Sequence, residues 1–174
     1  MRPFPHRFIK NLRGVVAIEF ALIVPVMLII LTGIIELSNY MMAARRVTGA
    51  AYAAADLISQ ETDLNIAGFI EILEVTQLIM APFDTTKLSF GVASVRYDDD
   101  TGEADLKWEA RINGGTVDEA ESLASGLGDA GESVIIVSTK FAYTPLFNIV
   151  FSGSYTLSDT AITRPRYIDY IGVF

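Results

Sequence analysis

Residues 13–36 read RGVVAIEFALIVPVMLIILTGIIE, and this stretch decides how the chain is built. Val15 to Ile35 is a run of 21 residues broken only by Glu19, and sixteen uncharged residues separate Glu19 from Glu36. At a helical rise of about 1.5 Å per residue the run spans roughly 31 Å, close to the hydrocarbon thickness of a bilayer. A soluble core helix apolar on all sides for that length needs a larger protein around it than 174 residues supply. A cleaved secretory signal has an apolar core of about 7 to 15 residues and ends at an A-x-A-like site. Here the run ends in Ile34-Ile35-Glu36 without one. The stretch predicts a transmembrane helix over residues 15–36.

Charge on either side sets its direction. Residues 1–14 hold Arg2, Arg7, Lys10 and Arg13 and no acid, whereas residues 47–174 hold 7 basic and 19 acidic residues, a net of −12. Between them Glu19, Glu36, Arg45 and Arg46 cancel, so the formal charge of the chain is −8. The positive-inside rule predicts a basic cytoplasmic leader over residues 1–14 and an acidic domain across the membrane. A composition 51% hydrophobic and only 20% charged fits a chain with one segment out of water. The acidic balance argues against a general electrostatic grip on nucleic acid. With no cysteine, and with its single histidine, His6, in the leader, the outer domain lacks disulfides, thiolate ligands, histidine triads and zinc sites.

Past Glu36 the helical pattern continues as a stalk over residues 37–60. Leu37, Met41, Ala44, Thr48, Ala51, Ala55 and Ile58 recur at alternating steps of four and three, a narrow seam suited to close packing. One helix is thus expected from Val15 to Gln60, kinked at Pro25 but not ended there. A second is expected from Asp63 to Met80, with Ile66, Phe69, Ile70, Leu73, Gln77 and Met80 on one side and Pro82 as the stop. Beyond Pro82 the period becomes two. Ala104, Leu106, Trp108, Ala110 and Ile112 alternate with charged residues, a half-buried strand. Its partner is Leu88–Tyr97, with a bulge expected near Gly91, and residues 98–102 form the turn. Further strands are expected at Val134–Tyr143 and Tyr155–Thr163, and a short helix at Val117–Ala124 opened by a Thr116/Glu119 capping box. Residues 61–174 therefore predict an extracytoplasmic α+β domain: a small antiparallel sheet packed on a long N-terminal helix.

Few residues carry chemistry. Gly126-Leu-Gly128-Asp-Ala-Gly131 matches a dinucleotide-loop string, but a strand follows it where the fingerprint needs a helix, and Asp129 and Glu132 would repel a pyrophosphate. Asp98, Asp99, Asp100, Glu103 and Asp105 could attract Ca²⁺, yet the spacing fails the EF-hand pattern and suits a solvated turn. No cofactor, metal or small-molecule substrate is implied, and the chain does not read as an enzyme. Glu19 stands apart. A carboxylate one turn inside an apolar helix costs up to roughly 2.5 to 3.5 kcal/mol at the bilayer centre, which marks it as functional by default.

Arg13-Gly14-Val15-Val16-Ala17-Ile18-Glu19-Phe20 resembles the processing region of type IV pilin-like precursors: a basic leader, a glycine, then an apolar run with Glu at its fifth position. Over residues 13–55 the chain more closely resembles the TadE-like family of tight-adherence (Flp) pilus assembly proteins, pseudopilins or minor pilins. Gly14, Glu19, Phe20, Pro25, Glu36 and the Ala-rich extension fall in order. The ending, Tyr143-Thr-Pro145-Leu146 and Ala161-x-x-Arg164-Pro165-Arg166, is similar too. The resemblance implies a prepilin peptidase cutting between Gly14 and Val15, with Glu19 and Phe20 acting in assembly. It also implies the bacterial inner membrane as location, with other pilins and Tad assembly components as partners beside the lipid bilayer. The alternative is an unprocessed single-pass envelope scaffold or sensor.

Overall fold

A computed structural model describes residues 12–173, with side chains from Gly14 onward. The leader residues Arg2, His6, Arg7 and Lys10 lie outside the described residues. Helix α1 runs Leu12–Ser59, 48 residues, and continues through Pro25 without ending. Strand β1 is Asp63–Leu64, helix α2 Ile66–Ile79, β2 Leu88–Tyr97, β3 Ala104–Ile112, α3 Ala120–Ala124, β4 Ser133–Tyr143, β5 Tyr155–Thr163 and β6 Gly172–Val173. The fold is α+β, a long apolar N-terminal helix with a small antiparallel sheet. Packing divides the chain into two units: residues up to Asn39 with Pro145–Gly153, and Tyr40–Thr144 with residues from Ser154 on.

In the second unit the sheet order is β3-β2-β4-β5, all neighbours antiparallel, while β1 and β6 pair in parallel as a separate two-stranded ribbon. Successive residues of a strand face opposite ways. Phe90, Val92, Ile135 and Val137 thus meet Ala51, Ala54, Ala55 and Ile58 of α1 and Ile72 of α2. Ala93, Val95, Tyr97, Val134 and Ile136 meet Val117, Ala120 and Ala124 on the other side. The central strands are buried on both faces, and the edge strand β3 carries Lys107–Asp105 and Arg111–Glu109 ion pairs that discourage further strand addition. The C-terminal segment ties back to α1: Arg166 pairs with Asp56 and its amide donates to the Ser59 carbonyl at 2.8 Å, while Arg164 pairs with Glu132 at 3.0 Å.

Several expectations need correction. The bulge is not at Gly91: the β2–β3 register shifts between Ser94 and Val95, opposite Lys107. With both faces of β2 apolar, a phase change in its sequence does not mark a bulge. Gly91 instead lets another stretch of backbone pass close by: a Cβ there would stand 3.0 to 3.2 Å from backbone atoms of Gly115 and Thr116. The seam of α1 is rotated from the expected one. Ala43, Val47, Ala50 and Ala54 are buried with Ala51, Ala55 and Ile58, while Leu37 and Met41 are exposed. Small residues on neighbouring faces leave the rotation unspecified.

Helix α2 begins three residues later than expected, because Asp63 and Leu64 pair with β6 and Asn65 caps the helix through its side chain to the Gly68 amide at 2.9 Å. Its inward side is centred on Ile72, Thr76 and the capping Met80, with Phe69 and Leu73 of the expected side packed against the core, whereas Ile66 and Ile70 of that side are exposed. The capping box does not form. Thr116 donates instead to Asp118 at 2.7 Å, which also takes Lys140 at 2.7 Å, and Glu119 adopts a left-handed conformation with no side-chain cap. Helix α3 therefore starts at Ala120 rather than Val117.

Candidate functional site

The residues singled out for processing and assembly all lie on the N-terminal half of α1. Aliphatic side chains at nearly every position favour a helix that pairs its own backbone, as a segment in lipid must. The apolar part is long and apolar enough to cross a membrane, and its most apolar stretch is not buried by the rest of the chain. Thr32 keeps its hydroxyl satisfied within the helix, donating to the carbonyls of Leu28 at 2.9 Å and Ile29 at 3.0 Å.

Gly14 lies in the first turn and is fully open, with nothing within 4 Å of where a Cβ would stand. Glycine weakens a helix by about 1 kcal/mol relative to alanine, so this turn is the easiest to unwind. Val15, Glu19 and Phe20 are all exposed. Val15 and Glu19 are one turn apart, on the same face. No ion pair joins Glu19 to another described residue. Pro25 lacks an amide hydrogen, which leaves the Ala21 carbonyl without its helical partner.

Glu36 is the best-defined polar site of the first unit. It is 0% exposed although exposed apolar residues flank it on the helix. One carboxylate oxygen accepts the Phe147 amide at 2.9 Å and the other the Phe151 amide at 3.2 Å, with the amides of Asn148 and Val150 also turned toward it. Asn148 takes the left-handed conformation, φ +52°, which asparagine tolerates better than most residues. Turns that mix handedness point successive amides to one side, forming a concavity for an anion. One turn earlier on the helix, Val150 packs over Gly33, where a Cβ would stand 3.2 Å from its Cγ2. Sequence reasoning placed Glu36 at the end of the apolar run and missed its partners, more than a hundred residues away. The available signal was the uncharged stretch 141–158 in an otherwise acidic domain.

In the acidic turn of the second unit, Asp98 and Asp99 are occupied by the chain's own donors. Asp98 accepts the amides of Asp100 and Thr101 at 3.0 and 2.8 Å, which hold its carboxyl below the usual range. Asp99 pairs with Arg96 at 3.2 Å. Among the described residues no group of three acidic or imidazole side chains is placed to hold a metal ion. Residues 126–131 form the loop between α3 and β4, with Gly128 against the Tyr97 ring. Tyr97 is buried, donates its hydroxyl to the Ala124 carbonyl, and is pushed up in pKa by that burial.

A protein-family model described as TadE-like protein matches residues 14–56, about a quarter of the chain. The match covers Gly14, Val15, Glu19, Phe20, Pro25 and Glu36 and stops three residues before α1 does. No curated protein and no solved structure matches the chain.

Proposed function

We propose, from the premise that the chain carries a TadE-like domain at residues 14–56, that it is a pseudopilin or minor pilin of a Tad-type pilus. A prepilin peptidase removes its leader, and the mature protein acts in assembly, initiation or tip formation. The observation that carries the reading is the coincidence of that match with an exposed apolar helix bearing an open Gly14 and an exposed Glu19. The chain sits in the inner membrane, N-terminus in the cytoplasm and outer domain beyond it.

The chemistry follows from position. Cleavage after Gly14 discards the four charges that hold the leader at the cytoplasmic face and creates an α-amino group at Val15. That cation lies one turn from Glu19 and can pair with it in the same chain or in a neighbour, lowering the cost of a carboxylate in lipid. Exposed Ala17 and Ala21 beside it let another helix approach closely. The acidic outer domain supplies surfaces for other pilus components rather than a reaction.

The deciding measurement is the N-terminal residue of the protein, by intact mass, from cells with and without a prepilin peptidase. Val15 is expected first with the peptidase and the full leader without it. An uncut leader in both would leave an unprocessed envelope scaffold or sensor as the better reading. Glu19→Ala is expected to be cleaved normally yet to reduce surface pili by roughly tenfold or more, the weight of a lost pairing worth about 1.4 kcal/mol or above. Normal piliation in that variant would remove the pairing role of Glu19.

A further inference from the structure

The segment Pro145–Gly153 packs with the membrane-crossing half of α1 rather than with the sheet. It is bound at the last turn of the apolar run, by Val150 over Gly33 and by the Phe147 and Phe151 amides on Glu36. Its outward side chains are apolar: Leu146 is 69% exposed and Ile149 59%, and Phe147 and Val150 are close to half exposed. No charged residue lies between Lys140 and Asp159. On the helix beside it Ile29, Ile30 and Ile34 are likewise exposed, so the apolar surface of the loop is continuous with that of the helix.

We propose that this segment is a second membrane contact: a loop seated at the headgroup–acyl boundary, with Leu146, Phe147, Ile149 and Val150 immersed in lipid. The proposal rests on the reading that α1 spans the bilayer. Whatever covers the exposed isoleucines of α1 then covers the loop docked on its last turn. Irregular backbone near hydrocarbon is tolerated only when its polar groups are paired. Glu36 meets that requirement: its two oxygens take the amides that the loop would otherwise present to lipid, and the amides stabilise the carboxylate in return. A short apolar element at the interface typically reaches about 5 to 10 Å below the headgroups, enough for these side chains.

The chain has no cysteine, so single fluorescent labels are unambiguous. Full-length protein carrying Leu28→Cys, Asp100→Cys or Ile149→Cys is labelled with nitrobenzoxadiazole and reconstituted in phosphatidylethanolamine–phosphatidylglycerol vesicles. Quenching by a shallow nitroxide lipid is compared with quenching by aqueous iodide. The label at 149 is expected to be quenched several-fold more by the lipid than by iodide, that at 28 by lipid alone, and that at 100 by iodide alone. Lipid quenching at 28 with iodide quenching at 149 would overturn the second contact while leaving the spanning helix intact. Iodide quenching at 28 would remove the spanning helix itself, and the loop's lipid contact with it. A label at 149 reached by neither quencher would mean that protein covers the loop, as a second copy of the chain would, and would also overturn the proposal.

Discussion

Gly115→Ala is expected to lower the melting midpoint of the full chain in detergent by about 10 °C, the consequence of overpacking worth roughly 3 kcal/mol. A Cβ on Gly115 would stand 2.4 Å from the Phe90 carbonyl carbon and 2.5 Å from the Phe90 nitrogen and oxygen. All three are backbone atoms of a strand whose side chains are buried on both faces, so neither partner can yield by rotating a side chain. Relief requires moving β2, which pairs on one side with β3 and on the other with β4. The single tryptophan, Trp108 on β3, donates its indole N–H to the Ile171 carbonyl at 2.8 Å and reports loss of that packing by fluorescence. Gly102→Ala is the informative contrast. Gly102, unlike Gly115, has a left-handed backbone, φ +70°, with open space around it, so only the conformational cost of about 1 to 2 kcal/mol applies. Equal melting of the two variants would refute the close crossing of residue 115 over β2.

Glu36→Ala is expected to release residues 147–151, raising the hydrogen-exchange rates of the Phe147 and Phe151 amides by roughly 10- to 100-fold. Removing the acceptor of a buried amide costs about 1 to 3 kcal/mol, and this one carboxylate serves at least two amides. Glu36→Gln retains a single carbonyl oxygen and replaces the other by a donor, so one of the two amides should keep its protection. The sheet amides of β2 and β4 serve as the internal control and should exchange as before. Unchanged exchange at both positions in the alanine variant would show that the carboxylate does not hold the segment.

How much of this was legible in the sequence varies with the physics of each element. The apolar run of α1 and the turn at residues 98–102 are stated locally: one by an unbroken composition, the other by the side-chain chemistry of Asp98, Thr101 and Gly102. The bounds of β2, β3 and β5 follow from flanking turns and agree with expectation. Facing is harder to read where both faces are apolar. In β2 the two-sided burial hides the true position of the bulge, and in α2 the ring of apolar residues hides which stripe turns inward. The capping box at Thr116 failed for a different reason. Lys140, 24 residues further on, draws Asp118 into a competing arrangement. Glu36 is the extreme case, because its partners are backbone amides, which carry no sequence signature. For Gly14, Val15 and Glu19, local reading gives type and spacing, and the geometry adds that Gly14 and Glu19 are open on one helix.

The parallel pairing of Asp63–Leu64 with Gly172–Val173 also sets a schedule for biosynthesis. From residue 64 to residue 172 a ribosome adds 108 residues, which takes on the order of 5 to 20 s at about 5 to 20 residues per second. During that interval α1 is already made and β2, β4 and β5 appear in turn, while the pairing of β1 with β6 does not yet exist and the Arg166–Asp56 clasp forms only near its end. The nascent domain must therefore carry a two-faced apolar strand and an uncovered alanine seam before it can close. Its most exposed stage lies between the completion of β2 at residue 97 and the arrival of its partner β4 at residue 133.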